Sequence, residues 1–115
     1  MGTGYELLDF DVNGVHLGGI RWAGDTGAPV VLSLHGITAN AWSWAAVARH
    51  LGVRATLVAL DLRGRGRSSD SPGPFGMRAH ADDVAAVIEQ LGVESAVVAG
   101  HSMGAYVSVT LSHRH

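Results

Sequence analysis

The sequence contains no cysteine, which excludes disulfides, thiol nucleophiles and cysteine-ligated metals. It has no lysine either: all eight basic residues are arginine, against ten acidic ones, for a formal net charge of −2. No field of one sign results, so neither nucleic acid nor an anionic membrane surface is indicated as a partner. Without lysine there is no G-x-x-x-x-G-K-[ST] phosphate loop, and Gly64-Arg65-Gly66-Arg67-Ser68-Ser69 lacks the last glycine of the dinucleotide pattern. No cofactor is therefore implied. No apolar run is long enough to span a bilayer, and Met1-Gly2-Thr3-Gly4-Tyr5-Glu6 shows neither the basic segment nor the apolar stretch of a signal peptide. A soluble cytoplasmic protein with a native start is the expectation.

What is present is a core-forming composition, 47% hydrophobic and 16% charged with a mean hydropathy of +0.20, which excludes intrinsic disorder. At 115 residues and 12.0 kDa the chain is read as one domain at most, 1–115. Strand patterning over 5–12 and 15–22 flanks Asn13-Gly14, a strong hairpin signal. Further strands are predicted at 30–34, 56–61 and 95–100, alternating with helices at 41–51 and 77–91 and a long loop at 62–76. That alternation predicts a mostly parallel α/β sheet. In the 77–91 helix Met77, Ala81, Val84, Ala85, Ile88 and Leu91 form an apolar stripe, while Asp82, Asp83, Glu89 and Gln90 are predicted to face outward. Val107, Val109 and Leu111 alternate with Ser108, Thr110 and Ser112, which by itself is strand patterning over 103–113.

The chemistry concentrates at the end of the last predicted strand, where Ser95-Ala96-Val97-Val98-Ala99 runs into Gly100-His101-Ser102-Met103-Gly104. This is a G-x-S-x-G nucleophile elbow. A serine hydroxyl is a poor nucleophile at its free pKa, so it must be held exposed beside a base. A sharp strand-to-helix turn holds it, and crowding on both sides leaves room only for glycine, here Gly100 and Gly104. The Met103 N–H would then lie at a helix N-terminus, where unpaired N–H groups favour a developing oxyanion.

Two further motifs precede the elbow in order: Pro29 to Ile37, an apolar strand ending in His35-Gly36, and Ala55 to Ser68, a strand that empties into Asp-x-Arg-Gly-x-Gly-x-Ser. With these in place the chain resembles the α/β-hydrolase superfamily, specifically its N-terminal half, over residues 5–112. The resemblance implies an α/β fold with an N-terminal antiparallel hairpin, a partial α/β-hydrolase fold ending after the elbow, and a buried helix at 103–113. It matches Ser102 to the nucleophile and the backbone N–H groups of Ile37 and Met103 to the oxyanion hole, with His35, Gly36, Gly100 and Gly104 as loop support. The Ile37 and Met103 side chains would line an acyl or leaving-group pocket. No position matches the family's triad acid or histidine. They are expected from the remaining C-terminal part of the fold, as a continuation or a second chain, so the chain alone is expected to be inactive.

The resemblance implies acyl transfer on an ester, thioester, lactone or related carbonyl compound through an acyl-Ser102 intermediate. Serine at the elbow, where aspartate would serve, argues against the dehalogenase and epoxide hydrolase branches. The alternative is a non-catalytic hydrolase-like ligand-binding or interaction protein. Among the other residues, Asp61 is read as bonding loop backbone, and the arginines of Arg63-Gly64-Arg65-Gly66-Arg67 as a structural turn. Trp42 and Trp44 are read as core and loop cover in preference to a substrate wall, and His113, Arg114 and His115 as an exposed terminus. His16, His50 and His80 receive no role.

Overall fold

Asn13 and Gly14 both take positive φ, 50° and 77°, the two-residue turn whose twist suits flanking strands. They join β1 (Glu6–Val12) to β2 (Val15–Trp22) in antiparallel register, Val12 opposite Val15. The computed structural model describes residues 4–115, and the expectation drawn from Met1, Gly2 and Thr3 lies outside them. Three more strands follow, β3 (Val30–Leu34), β4 (Thr56–Leu60) and β5 (Val97–Gly100), giving a sheet in the order β1-β2-β4-β3-β5. β2 pairs antiparallel with β4, whereas β4–β3 and β3–β5 are parallel. The expected mostly parallel α/β sheet with an N-terminal hairpin is thus the observed architecture.

β4 is buried along its whole length because it lies inside the sheet with a core on each face. Leu57 and Ala59 enter one core with Ile20, Trp22, Ala41 and Ala48, while Val58 and Leu60 enter the other with Leu32, Leu34, Val84 and Val107. The first core is covered by α1 (Ala45–Leu51), the second by α2 (Met77–Leu91) and α3 (Met103–Arg114). The single helix expected at 41–51 instead opens as a 3₁₀ turn, Ala41–Trp44, before α1 begins. Its first donors are already taken: the Ala41 N–H by the Asp61 carboxylate and the Trp42 N–H by the Asn40 side chain. β5 is shorter than its apolar run, since pairing with β3 starts at Val97 opposite Val31, and the 62–76 loop contains a 3₁₀ turn, Gly66–Ser68.

α2 has the expected bounds and ends on Gly92 in the left-handed conformation. Its polar face needs a correction. Asp83 does not face outward; it is buried on the face that also carries His80, Val84 and Val87, because Arg63 waits there as a counter-charge at 2.6 Å. In α3 helical period wins over the local alternation: Met103, Val107 and Leu111 are buried while Val109 is exposed.

Strand order reverses around β3. From β3 the chain passes through α1 to β4 on one side, then returns through α2 on the opposite face to β5 on β3's other side. The carboxyl ends of β3 and β5 therefore open onto one crevice, the place where open α/β sheets bind ligands.

Candidate active site

Ser102 stands at the β5 side of that crevice with φ 56° and ψ −118°, a conformation that side-chain-bearing residues rarely adopt. Such strain costs of order 1–3 kcal/mol and persists only where surroundings over-determine it. Here they do. The His101 N–H donates to the Leu34 carbonyl at 3.0 Å, tying the turn to the end of β3. A Cβ on Gly100 would press on the Gly104 carbonyl and come within 2.6 Å of the Ala105 nitrogen; one on Gly104 would overlap the Leu34 carbonyl. β5, β3 and the start of α3 thus approach as closely as bare backbone allows, and the turn between them can only be sharp. Although Ser102 occupies the N-cap of α3, its side chain caps none of the helix N–H groups and is exposed. His101, its neighbour in the elbow, is exposed as well.

Opposite Ser102 lies the loop after β3. A Cβ on Gly36 would sit 3.4 Å from the Ser102 Cβ, so the His35-Gly36 loop and the elbow are in contact. His35 is fully buried, and its Nε2 accepts from the Leu62 N–H at 3.0 Å. A backbone N–H can only donate, which places the imidazole proton on Nδ1, 2.7 Å from the Gly36 carbonyl oxygen. Burial holds the His35 pKa below the ordinary imidazole value and so favours this neutral form. The Gly36 carbonyl also accepts from the Ala39 N–H at 3.1 Å. In a trans peptide C=O and N–H point oppositely, so two hydrogen bonds on the Gly36 oxygen orient the Ile37 N–H. Among the described residues, neither the Ile37 nor the Met103 N–H donates to backbone.

Between these groups is an open apolar cleft of about 440 Å³, lined by Ile37, Met77, Ser102, Met103, Tyr106 and Val109 together with Thr110. Trp42 and Trp44 are not part of it. Trp42 packs edge-on against Tyr5 and Trp22, and Trp44 packs against the α1-side core.

The arginine-rich turn separates into three tasks that the sequence pattern does not distinguish. Arg63 points inward to Asp83. Arg67 reaches back to the hairpin, donating to the Leu8 and Gly19 carbonyls and to Asp9. Arg65 turns toward the loop after β3, donating to the Ile37 carbonyl at 3.3 Å. Asp61 accepts from the Ala41 and Arg67 N–H groups and so joins the two loops. Arg114 and His115 are exposed, yet both hold Asp82 at 2.9 Å. His80, which sequence reasoning left without a role, is buried beneath this turn with Nε2 3.4 Å from Arg65 Nη1 and Nδ1 unpartnered. The available signal was its spacing from Val84 and Val87 on one helical face.

Burial, reinforced by Arg65, pushes the His80 pKa down to about 4 from 6.5. Between those values the unfolded chain binds the proton that the folded one refuses. The contribution is complete above about pH 6.5 and is lost as the pH falls toward 4, by ~3 kcal/mol at most. Urea unfolding at pH 7 and pH 4.5 checks this: His80→Leu should reduce the acid-side loss, and an unchanged slope rejects the assignment.

The family description "alpha/beta hydrolase fold" matches residues 29–115. The 2-(acetamidomethylene)succinate hydrolase of Mesorhizobium japonicum is 36% identical over 87 residues, 76% of this chain and 31% of that protein. The N-formylmaleamate deformylase of Pseudomonas putida is 38% identical over 98 residues, 84% of this chain and 36% of that protein. Among solved structures, a membrane phospholipase A described as a bacterial virulence factor superposes with a TM-score of 0.89 at 30% identity, covering 99% of this chain and 37% of that one. The chain spans about a third of the length of the curated relatives it matches. Among the described residues no helix is long and apolar enough to cross a membrane.

Proposed function

The chain belongs to the α/β-hydrolase fold family, and from that premise we propose that it carries the nucleophile and oxyanion-binding part of a serine hydrolase acting on an ester, thioester, lactone or related carbonyl compound. Ser102 Oγ attacks the carbonyl carbon while a base takes the hydroxyl proton. The carbonyl oxygen, now negative, accepts from the Ile37 and Met103 N–H groups. The tetrahedral intermediate collapses with loss of the leaving group, which takes the proton, and water then releases the acyl group from Ser102.

The observation that carries this reading is the strained, exposed Ser102 at the strand-order switch, with two N–H groups left without backbone acceptors beside it. Its hydroxyl is not spent on capping α3, which is what an exposed serine at that position would otherwise do. The apolar lining supplied by Ile37, Met103 and Tyr106 suits the non-reacting part of an acyl or leaving group.

The base and its orienting acid are assigned to the C-terminal part of the fold, whether a continuation or a second chain. Among the described residues β5 pairs with β3 alone. Its Val97 is 58% exposed, and Val109 and Tyr106 on α3 are exposed beside the cleft. An apolar edge of this kind is what a further strand and its connections would cover.

A fluorophosphonate probe tests the reading. In the active protein carrying this sequence it should label Ser102 and fail to label Ser102→Ala. Tight binding of a carbonyl ligand without labelling would instead favour a hydrolase-like binding protein. The 115-residue chain alone should not turn over p-nitrophenyl acetate, and turnover that vanishes in Ser102→Ala would defeat the assignment of the base to another segment.

A further inference from the structure

The Ile37 N–H is oriented from one side only by the bonds on the Gly36 oxygen. The next peptide, Ile37–Thr38, has its own carbonyl to satisfy, and among the described residues its hydrogen bond comes from Arg65 Nε at 3.3 Å. The Ile37 side chain does not anchor the loop by burial, being 59% exposed. Arg65, in contrast, is well fixed. Its N–H donates to the Leu62 carbonyl, its carbonyl accepts from Ser68, and Nη1 donates to the Arg63 carbonyl at 2.9 Å with His80 Nε2 at 3.4 Å. Arg63 is itself locked onto Asp83.

The charge pattern separates Arg65 from its neighbours. Arg63 and Arg67, on either side of it in the turn, each meet a carboxylate, whereas among the described residues Arg65, like the more distant Arg49, Arg54 and Arg78, meets none. Its donors go to two carbonyl oxygens and an imidazole. A half-buried guanidinium used this way neutralises no charge; what it does is hold two loops in register.

We propose that Arg65 is a positioning residue for the oxyanion-binding loop, pinning the Ile37 peptide through its carbonyl so that the Ile37 N–H keeps its aim beside Ser102. The inference rests on the serine-hydrolase reading for its catalytic consequence, but the hold on the loop is a property of this chain. Oxyanion donors act through placement: losing one costs 10²–10³ in rate, and a displacement of about 1 Å can cost 10². Loosening one donor without removing it should cost about tenfold in kcat.

Two variants separate the possibilities. Arg65→Met keeps the aliphatic stem and removes every donor, and Arg65→Lys keeps one ammonium that can reach a carbonyl. In the 115-residue chain, exchange of the Ala39 amide, whose N–H bonds the Gly36 oxygen, should accelerate in Arg65→Met and less so in Arg65→Lys. In the active protein, kcat for p-nitrophenyl acetate should fall about tenfold in Arg65→Met with KM little changed, and Arg65→Lys should recover part of it. A merely structural role would lower the urea midpoint while leaving kcat per folded molecule intact. Unchanged exchange of the Ala39 amide overturns the proposal. So does a rise in KM confined to an anionic substrate such as p-nitrophenyl hemisuccinate, which would make Arg65 a substrate contact. Absence of fluorophosphonate labelling on wild-type Ser102 would fail the hydrolase reading alone, since the exchange measurement still decides whether Arg65 holds the loop.

Discussion

Gly104→Ala is expected to destabilise the chain by about 3 kcal/mol or more and to abolish probe labelling of Ser102 in the active protein. The added Cβ would land on the Leu34 carbonyl, with the His35 oxygen at 2.9 Å. Neither can give way cheaply. The Leu34 oxygen already accepts from the His101 N–H, and Leu34 is paired on both sides, with Leu60 and with Gly100. Relief would require α3 to move away from β3, which would open the elbow and draw Ser102 from the two unpaired N–H groups. Overpacking a core costs 1–3 kcal/mol when side chains can yield; a clash of methyl against hydrogen-bonded backbone belongs at or above the top of that range. Gly92→Ala is the control. Unlike Gly104, Gly92 has positive φ, 68°, but an added Cβ meets nothing within 4 Å, so only strain of about 1 kcal/mol is expected there. Urea denaturation of both variants decides the matter: similar losses would show that close approach at Gly104 is not what shapes the elbow.

The elbow was legible because its geometry is written in residue type. Two glycines flank a serine at the end of an apolar run, and each glycine stands where the structure leaves no room for a side chain. The hairpin, β3 and α2 were legible for similar local reasons, a turn dipeptide, a short apolar run and a helical stripe ended by glycine. α3 was less so. Val107, Val109 and Leu111 fit a strand as well as a helix by alternation, and what decides between them is packing against α2 and β3, which no short window contains.

Asp83 shows a different limit. By spacing it belongs with His80, Val84 and Val87 on the buried side of α2, so helical geometry alone would have placed it inward. Chemistry argued the reverse, because a carboxylate is seldom buried unless paired. Its partner stands twenty residues earlier in a glycine-rich turn, where nothing local marks Arg63 as different from Arg65 or Arg67. The same separation hid the contact between Arg65 and Ile37, which joins residues 28 positions apart. What sequence could not supply at this site was the assignment of three similar arginines to three destinations.

Asp83→Ala is expected to cost about 3–5 kcal/mol, a large share of what a domain of this size can hold. Arg63 donates from Nε and Nη2 to the two Asp83 oxygens at 2.6 and 2.9 Å, and Asn13 adds a bond of 3.0 Å from the hairpin turn. Both side chains are almost fully buried, 8% and 1% exposed. Truncating Asp83 leaves a guanidinium in the interior with one carbonyl, that of Pro72 at 3.4 Å, as its remaining acceptor. Arg63 cannot escape by losing its proton, since it titrates above arginine's already high value when Asp83 bonds it, and arginine stays charged without that help too. The double variant Arg63→Met with Asp83→Leu removes both the charge and the need for a counter-charge. Because the desolvation penalty vanishes with the pair, it should recover most of the loss. Urea unfolding of the two single variants and the double forms a cycle that isolates the coupling. If the double variant costs the sum of the singles, the pair is not a unit. If instead it folds well but hydrogen exchange rises across 62–69 and at the Ala39 amide, the ion pair serves less to hold α2 to the sheet than to fix the turn from which Arg65 reaches the loop beside Ser102.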